Sequence, residues 1–192
     1  MLTQIFLFIL NTVCGLLTLV LLVRFAMQWA RTPFRNPLGE FVIAATDWMV
    51  RPVRRMVPAL FGFDTASLLL AWFWQVVDQG LTLGLSGVLL AVSPAPTFVV
   101  ALLAALEVVK VGLYIVIGVV VVSAVFSWVN PYAPLAGVFN TLTQPLLRPF
   151  RRFIPALGGV DLSPLALLLI LQIALFVIAS LRHSVLPMIL LS

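Results

Sequence analysis

The stretch Thr46-Asp-Trp-Met-Val-Arg51-Pro52-Val-Arg54-Arg55-Met-Val-Pro58-Ala-Leu-Phe-Gly62-Phe-Asp64 returns 97 residues later as Thr143-Gln-Pro-Leu-Leu-Arg148-Pro149-Phe-Arg151-Arg152-Phe-Ile-Pro155-Ala-Leu-Gly-Gly159-Val-Asp161. Ten of the nineteen positions are identical, and the offset persists to Gln75 and Gln172. Chance does not produce such a match. One unit has been written twice, so the two copies are expected to share one architecture.

Working outward, each copy is a basic segment held between apolar runs. The first is flanked by runs at about 5–27 and 65–83, the second by runs at about 98–128 and 164–181. A membrane span needs about 20 apolar residues to cross a core of about 30 Å. The third run has 31 residues, so it must tilt or lie partly in the interface. The fold class is an all-α membrane protein, with four transmembrane helices arranged as two parallel helix–interfacial helix–helix repeats. Residues 1–97 make the first repeat, with a basic loop at 28–64 and an outer hairpin at 84–97. Residues 98–192 make the second, with a basic loop at 129–163 and a short outer tail. Residues Gly112 and Gly118 in the third span are expected to let helices approach closely.

Composition agrees. Of 192 residues, 63% are hydrophobic and 9% charged, where soluble domains have about 45–50% and about 25%. Seventeen charges cannot solvate such a surface. A soluble enzyme, a disulfide scaffold and a disordered chain are excluded. The lone Cys14 and lone His183 cannot form a metal cluster or an internal disulfide. The net charge of +5 comes from ten arginines and one lysine beside apolar runs, which favours anionic lipid headgroups over nucleic acid as the partner. Eight of the eleven cations fall in the two basic loops. Lys and Arg collect on the cytoplasmic side, which predicts a multi-pass membrane protein with both termini outside the cytoplasm.

The loops have a readable chemistry. Leu38 to Val50 is mostly apolar, with Glu40 and Asp47 two helical turns apart on one face, and so reads as an amphipathic helix in the interface. Pro52 and Pro149 are expected to break or restart the helix, Pro58 and Pro155 to do so again, and Gly62 and Gly159 to allow a left-handed turn. Asp64, and Ser163 before Pro164, can cap the helix that re-enters the membrane. The trios Arg51, Arg54, Arg55 and Arg148, Arg151, Arg152 then lie at headgroup depth, as anchors or as a docking surface for lipid or protein.

These residues resemble the YggT (also YlmG) family of small bacterial inner-membrane proteins with plastid relatives. The likeness rests on Asn36-Pro37, on Thr143-Gln-Pro145, on Arg148 to Pro164, on the matching Arg51 to Asp64 run, and on Trp29 after Arg24. Trp48 stands where the second copy has Pro145, and the Asn-Pro pair lies ten residues before Thr46 but thirteen before Thr143. The resemblance implies an integral membrane protein without catalytic residues or cofactor. Bacterial relatives are associated with osmotic or ionic stress tolerance and cell-division neighbourhoods, plastid relatives with nucleoid distribution and cofactor assembly on a membrane cytochrome.

Ionisable residues at membrane depth are functional candidates. Asp78, Glu107 and Lys110 fall in the outer halves of the second and third spans, and Lys110 is expected to neutralise Glu107 or Asp78 and tie those spans together. The expected function is a non-enzymatic scaffold, assembly or stress-tolerance factor. Its cytoplasmic arginines would dock an unknown membrane or cytoplasmic protein, or anionic lipid. A small channel or transporter accessory is the alternative. Four short helices make a thin bundle that leaves room for a homo-oligomer.

Overall fold

The computed structural model describes residues 1–57, 63–85, 95–133, 135–153 and 161–190. Among the described residues six helices follow in order: α1 (Leu2–Trp29), α2 (Pro37–Met56), α3 (Thr65–Leu85), α4 (Ala95–Val129), α5 (Ala136–Phe153) and α6 (Ser163–Leu190). The order long, amphipathic, long thus occurs twice. Four of the six, α1, α3, α4 and α6, are long and apolar enough to cross a membrane. The fold class of the described residues is all-α, and the chain is a multi-pass membrane protein.

Lipid tails are as apolar as leucine, so apolar burial does not by itself drive the spans together. Small side chains and polar pairs do that work. α1 packs chiefly on α3, and the contact face of α3 carries Ser67, Ala71, Gln75 and Asp78, all buried. Gln75 donates to Thr18 at 3.0 Å, and Asn11 donates to Asp78 at 3.1 Å. Trp72 of α3 donates its indole N–H to the carbonyl of Ala101 in α4 at 3.0 Å. Gly112 and Gly118 do not serve close packing: a Cβ at either would meet nothing within 4 Å.

The amphipathic helices obey a different rule, because water reaches their outer faces. α2 buries Val42, Thr46, Met49 and Val50 on one face, and the last two join Leu21, Leu22, Ala66 and Ala71 in a core. α5 places Leu147 against Val120, Leu167 and Leu171. It also sets Val138 and Leu142 against Met27 of α1, which joins the two halves. A buried leucine or valine at such a depth contributes about 1.5–3 kcal/mol.

One expectation needs correction. Pro52 and Pro149 break nothing: α2 runs through Pro52 to Met56, and α5 runs through Pro145 and Pro149 to Phe153. All three prolines lie on exposed faces, where polar surroundings can solvate the carbonyls they orphan. Glu40 and Asp47 lie two turns apart in α2, with Glu40 exposed and Asp47 half-buried against Arg24. α6 continues past residue 181 as a helix to Leu190. Residues Pro58, Gly62, Pro155 and Gly159, and all but the ends of the 84–97 hairpin, lie outside the described residues.

The Asn-Pro spacing has a local explanation. Asn36 caps α2, accepting from Gly39 N–H at 2.9 Å, with Pro37 as the first helical residue. Asn130 instead follows α4 and accepts from Tyr132 N–H at 3.2 Å, several residues before α5 starts. α1 ends on a Schellman motif. Arg31 N–H donates to the Gln28 carbonyl at 3.1 Å and Thr32 N–H to the Met27 carbonyl at 2.9 Å. Arg31 itself has φ 53°, in the left-handed region.

Candidate functional site

Arg24 organises the first half. It lies within α1, one turn before Trp29, with its side chain 7% exposed. Its Nη1 donates to Thr46 Oγ1 at 2.7 Å and to Asp47 Oδ1 at 2.8 Å, and its Nε lies 3.4 Å from Asp64 Oδ2. Thr46 donates its own hydroxyl to the Val42 carbonyl at 2.6 Å. Arg54 closes the other side of Asp64 with two bonds, at 3.2 and 2.7 Å, and reaches Gln28 Oε1 at 3.0 Å. Asp64 also accepts from the hydroxyl of Ser67 at 2.7 Å and, capping α3, from the Ser67 backbone N–H at 3.4 Å. One buried knot thereby joins α1, α2 and the start of α3.

The acids of this knot are held ionised. Burial pushes the Asp64 carboxyl up, but hydrogen bonds from Arg54 and Ser67 outweigh it and leave the pKa below the ordinary carboxylate value. The same contest, won by Arg24 and Arg51, lowers Asp47. A buried carboxylate fixed between two guanidinium groups cannot act as a general acid near neutral pH.

The second half repeats part of this. Arg151 Nε donates to Asp161 Oδ2 at 2.8 Å, and Asp161 Oδ1 accepts from Ser163 N–H at 2.9 Å, which caps α6. The cap comes from the Asp161 side chain, with the Ser163 backbone as donor. Burial raises the Asp161 carboxyl, and the bonds from Ser163 and Arg151 bring it below the ordinary value. Arg54–Asp64 and Arg151–Asp161 are therefore the same pair in the two copies. They differ in exposure: the Asp64 side chain is 1% exposed and the Asp161 side chain 36%.

The remaining loop arginines divide differently. Arg51 pairs with Asp47 at 2.6 Å yet is 76% exposed. Arg55, Arg148 and Arg152 are exposed and have no ion-pair partner among the described residues. Exposed Trp48 and Met56 flank the first set.

The intramembrane charges do not form one cluster. Lys110 pairs with Glu107 of its own helix at 2.6 Å, so it ties nothing to α3. The tie between helices is Arg182 of α6, whose Nη1 meets Glu107 at 2.6 Å. Asp78, 2% exposed, is instead held by Asn11. A three-residue spacing on one helix brings Lys110 and Glu107 together first.

Sequence reasoning passed over Arg24, Asn11 and Arg182. An arginine three residues inside an apolar run is the available signal for Arg24. Ser123 carries no such signal. In the fold it donates to Asn140 Oδ1 at 2.8 Å and lies 3.4 Å from Thr143 Oγ1.

A family model described as CCB3/YggT matches this chain in two stretches, residues 3–85 and 102–182. The "Uncharacterized protein YggT" of Escherichia coli (strain K12) is 38% identical over 167 residues, covering 86% of this chain and 85% of that protein. The "Uncharacterized protein PA0392" of Pseudomonas aeruginosa is 38% identical over 170 residues, covering 86% and 84%. The "YlmG homolog protein 2, chloroplastic" of Arabidopsis thaliana is 49% identical over 56 residues, covering 28% and 22%. No solved structure gives a significant match.

Proposed function

The chain belongs to the CCB3/YggT family, and on that premise we propose that it is a non-enzymatic scaffold or assembly factor of the inner membrane, docking an acidic protein surface through its two basic segments. One observation carries the reading. After Arg24, Arg54 and Arg151 are assigned to intramolecular pairs, Arg55, Arg148 and Arg152 stay exposed and unpaired among the described residues, with Arg51 open beside them. Both sets project from amphipathic helices rather than from floppy loops, so the guanidinium groups are displayed at fixed spacing. Arginine forks are suited to carboxylate and phosphate. The positive-inside rule supports a cytoplasmic position for this face.

The test is photo-crosslinking in the native membrane, with probes at Met56 and at the equivalent Phe153, and a control at lipid-facing Leu19. The reading predicts one discrete protein adduct from both loop positions and none from Leu19, lost in Arg55→Glu and Arg152→Glu variants. Adducts to lipid alone would reduce the arginines to headgroup anchors.

A second reading, an accessory of ion or osmotic balance, draws on Asp78, a buried carboxylate in a span with only Asn11 donating to it among the described bonds. Asp78→Asn, which keeps the shape, separates the two. Loss of an ion-linked phenotype with normal protein abundance favours the second; loss on Arg55 reversal alone favours the first.

A further inference from the structure

Arg24 and Gln28 lie one turn apart on α1, five and one residues before Trp29. Ser123 and Ser127 stand at the same distances before Trp128 on α4. The structure makes the correspondence physical: Arg24 bonds Thr46, and Ser123 approaches Thr143, the equivalent threonine. The first half therefore fills the space above its Asp–Arg pair with a guanidinium and an amide. The second half puts two hydroxymethyl groups there.

What remains is a pocket of about 800 Å³ between α4, α5 and α6. Ser123, Ser127, Thr143, Gln144, Arg151 and Asp161 line its polar end. Val120, Val121, Val125, Leu165 and Leu168 continue it along the two spans as an apolar wall. Two of the three acceptors that hold Arg24 in the first half, a threonine hydroxyl and a capping aspartate, are thus retained without the cation they served, while the third, Asp47, has Gln144 as its counterpart. Asp161 is left far more open than Asp64.

We propose that this pocket binds the headgroup of one ethanolamine-type phospholipid, its ammonium seated against Asp161 and Thr143 where the first half has its arginine. Three features select that chemistry. An ammonium brings three donors for the acceptors present, which a quaternary choline group lacks. Arg151 spends only its Nε on Asp161 among the described bonds, so its terminal nitrogens can receive the phosphate beside the ammonium. The pocket's own charges, one Arg and one Asp, cancel, which suits a zwitterion; a net anionic headgroup would confront Asp161. The apolar wall gives the acyl chains a path that a soluble amine or a lone protein side chain would not use. This site is separate from the outward arginines of the proposed docking face and does not depend on that reading.

The experiment is native mass spectrometry of the delipidated full chain, titrated separately with palmitoyl-oleoyl phosphatidylethanolamine, phosphatidylcholine and phosphatidylglycerol. One saturable phosphatidylethanolamine adduct is expected, at least about tenfold tighter than either other lipid, the loss that follows when charge-assisted hydrogen bonds are removed. Asp161→Asn should abolish the preference. Because Asp161 also caps α6, the deciding variant is Ser123→Arg with Ser127→Gln and Gln144→Asp, which copies the first half's Arg24, Gln28 and Asp47. It should fold with unchanged or greater thermal stability and lose the adduct. Retention of the preferred adduct in that filled variant, or equal binding of all three lipids by the parent chain, would overturn the proposal. So would a crosslink from Gln144 that captures a protein and no lipid.

Discussion

Replacing Arg24 by methionine isolates what the buried knot contributes. The variant keeps an apolar stem but removes the guanidinium, and with it the bonds to Thr46 and Asp47 and the approach to Asp64. Two charge-assisted bonds would suggest a loss of about 3–6 kcal/mol. Two terms reduce it. Asp47 keeps Arg51 and Asp64 keeps Arg54, so neither carboxylate is stranded, and the desolvation penalty of one guanidinium disappears. The net expectation is a destabilisation of about 3 kcal/mol. The chain carries its own reporter, because Cys14 is its lone cysteine and is 1% exposed on the same helix. Labelling of Cys14 by a maleimide in detergent follows the opened population, so it should accelerate about 100-fold in the variant. Arg51→Met is the control: its pair is surface-exposed, and such pairs contribute at most about 1 kcal/mol. A rate for the Arg24 variant no faster than that of the control would refute the idea that this arginine holds α1, α2 and α3 together.

Arg54→Ala should destabilise the protein by about 2–3 kcal/mol, because it strips the bidentate partner from a buried carboxylate, while Arg151→Ala should cost about 1 kcal/mol or less at its open pair; thermal unfolding of the two side by side checks the order. Stability should be pH-dependent in a stated direction. The folded-state pKa values of Asp64 and Asp47 are depressed, so their stabilisation is complete above the ordinary carboxylate pKa of about 4 and is lost as pH falls through the depressed values. The acid-side slope of unfolding temperature should shrink in Asp64→Asn. Glu107→Gln should loosen α4 from α6 by about 1–2 kcal/mol, since it removes the charge shared by Arg182 and Lys110 and leaves one acceptor oxygen for two cations; a crosslink between cysteines placed on those helices should form less efficiently. Normal crosslinking would show that snorkelling of both cations already satisfies them.

The spans, the amphipathic helices and the repeat were legible because period and composition act locally. An apolar run of about 20 residues has few alternatives to a membrane helix, and ten matched positions do not arise by chance. The Asp64 cap was legible for the same reason, since a cap is satisfied within one turn. What stayed hidden was partnership across helices. Nothing near Arg24 in sequence tells that Thr46, Asp47 and Asp64 converge on it, because the bonds span 22 residues and more. The spacing of Asp78, Glu107 and Lys110 suggested a single cluster, but helix rotation sends Asp78 toward α1 and Glu107 toward α6. Pro52 and Pro149 do not break their helices, because the cost of proline depends on whether the orphaned carbonyl is solvated, which only the fold decides.

The buried knot of the first half has a consequence for how a doubled chain can divide its labour. Two identical units paired as a homodimer would be sealed alike or open alike, so any gain in rigidity would close both. With the units fused, Arg24 and Gln28 can lock one copy while Ser123 and Ser127 leave its twin unlocked. The locked copy then serves as a frame, and the unlocked one is free to diverge without unfolding the whole. Grafting the two serines into the first copy asks how much of that freedom the frame can lose.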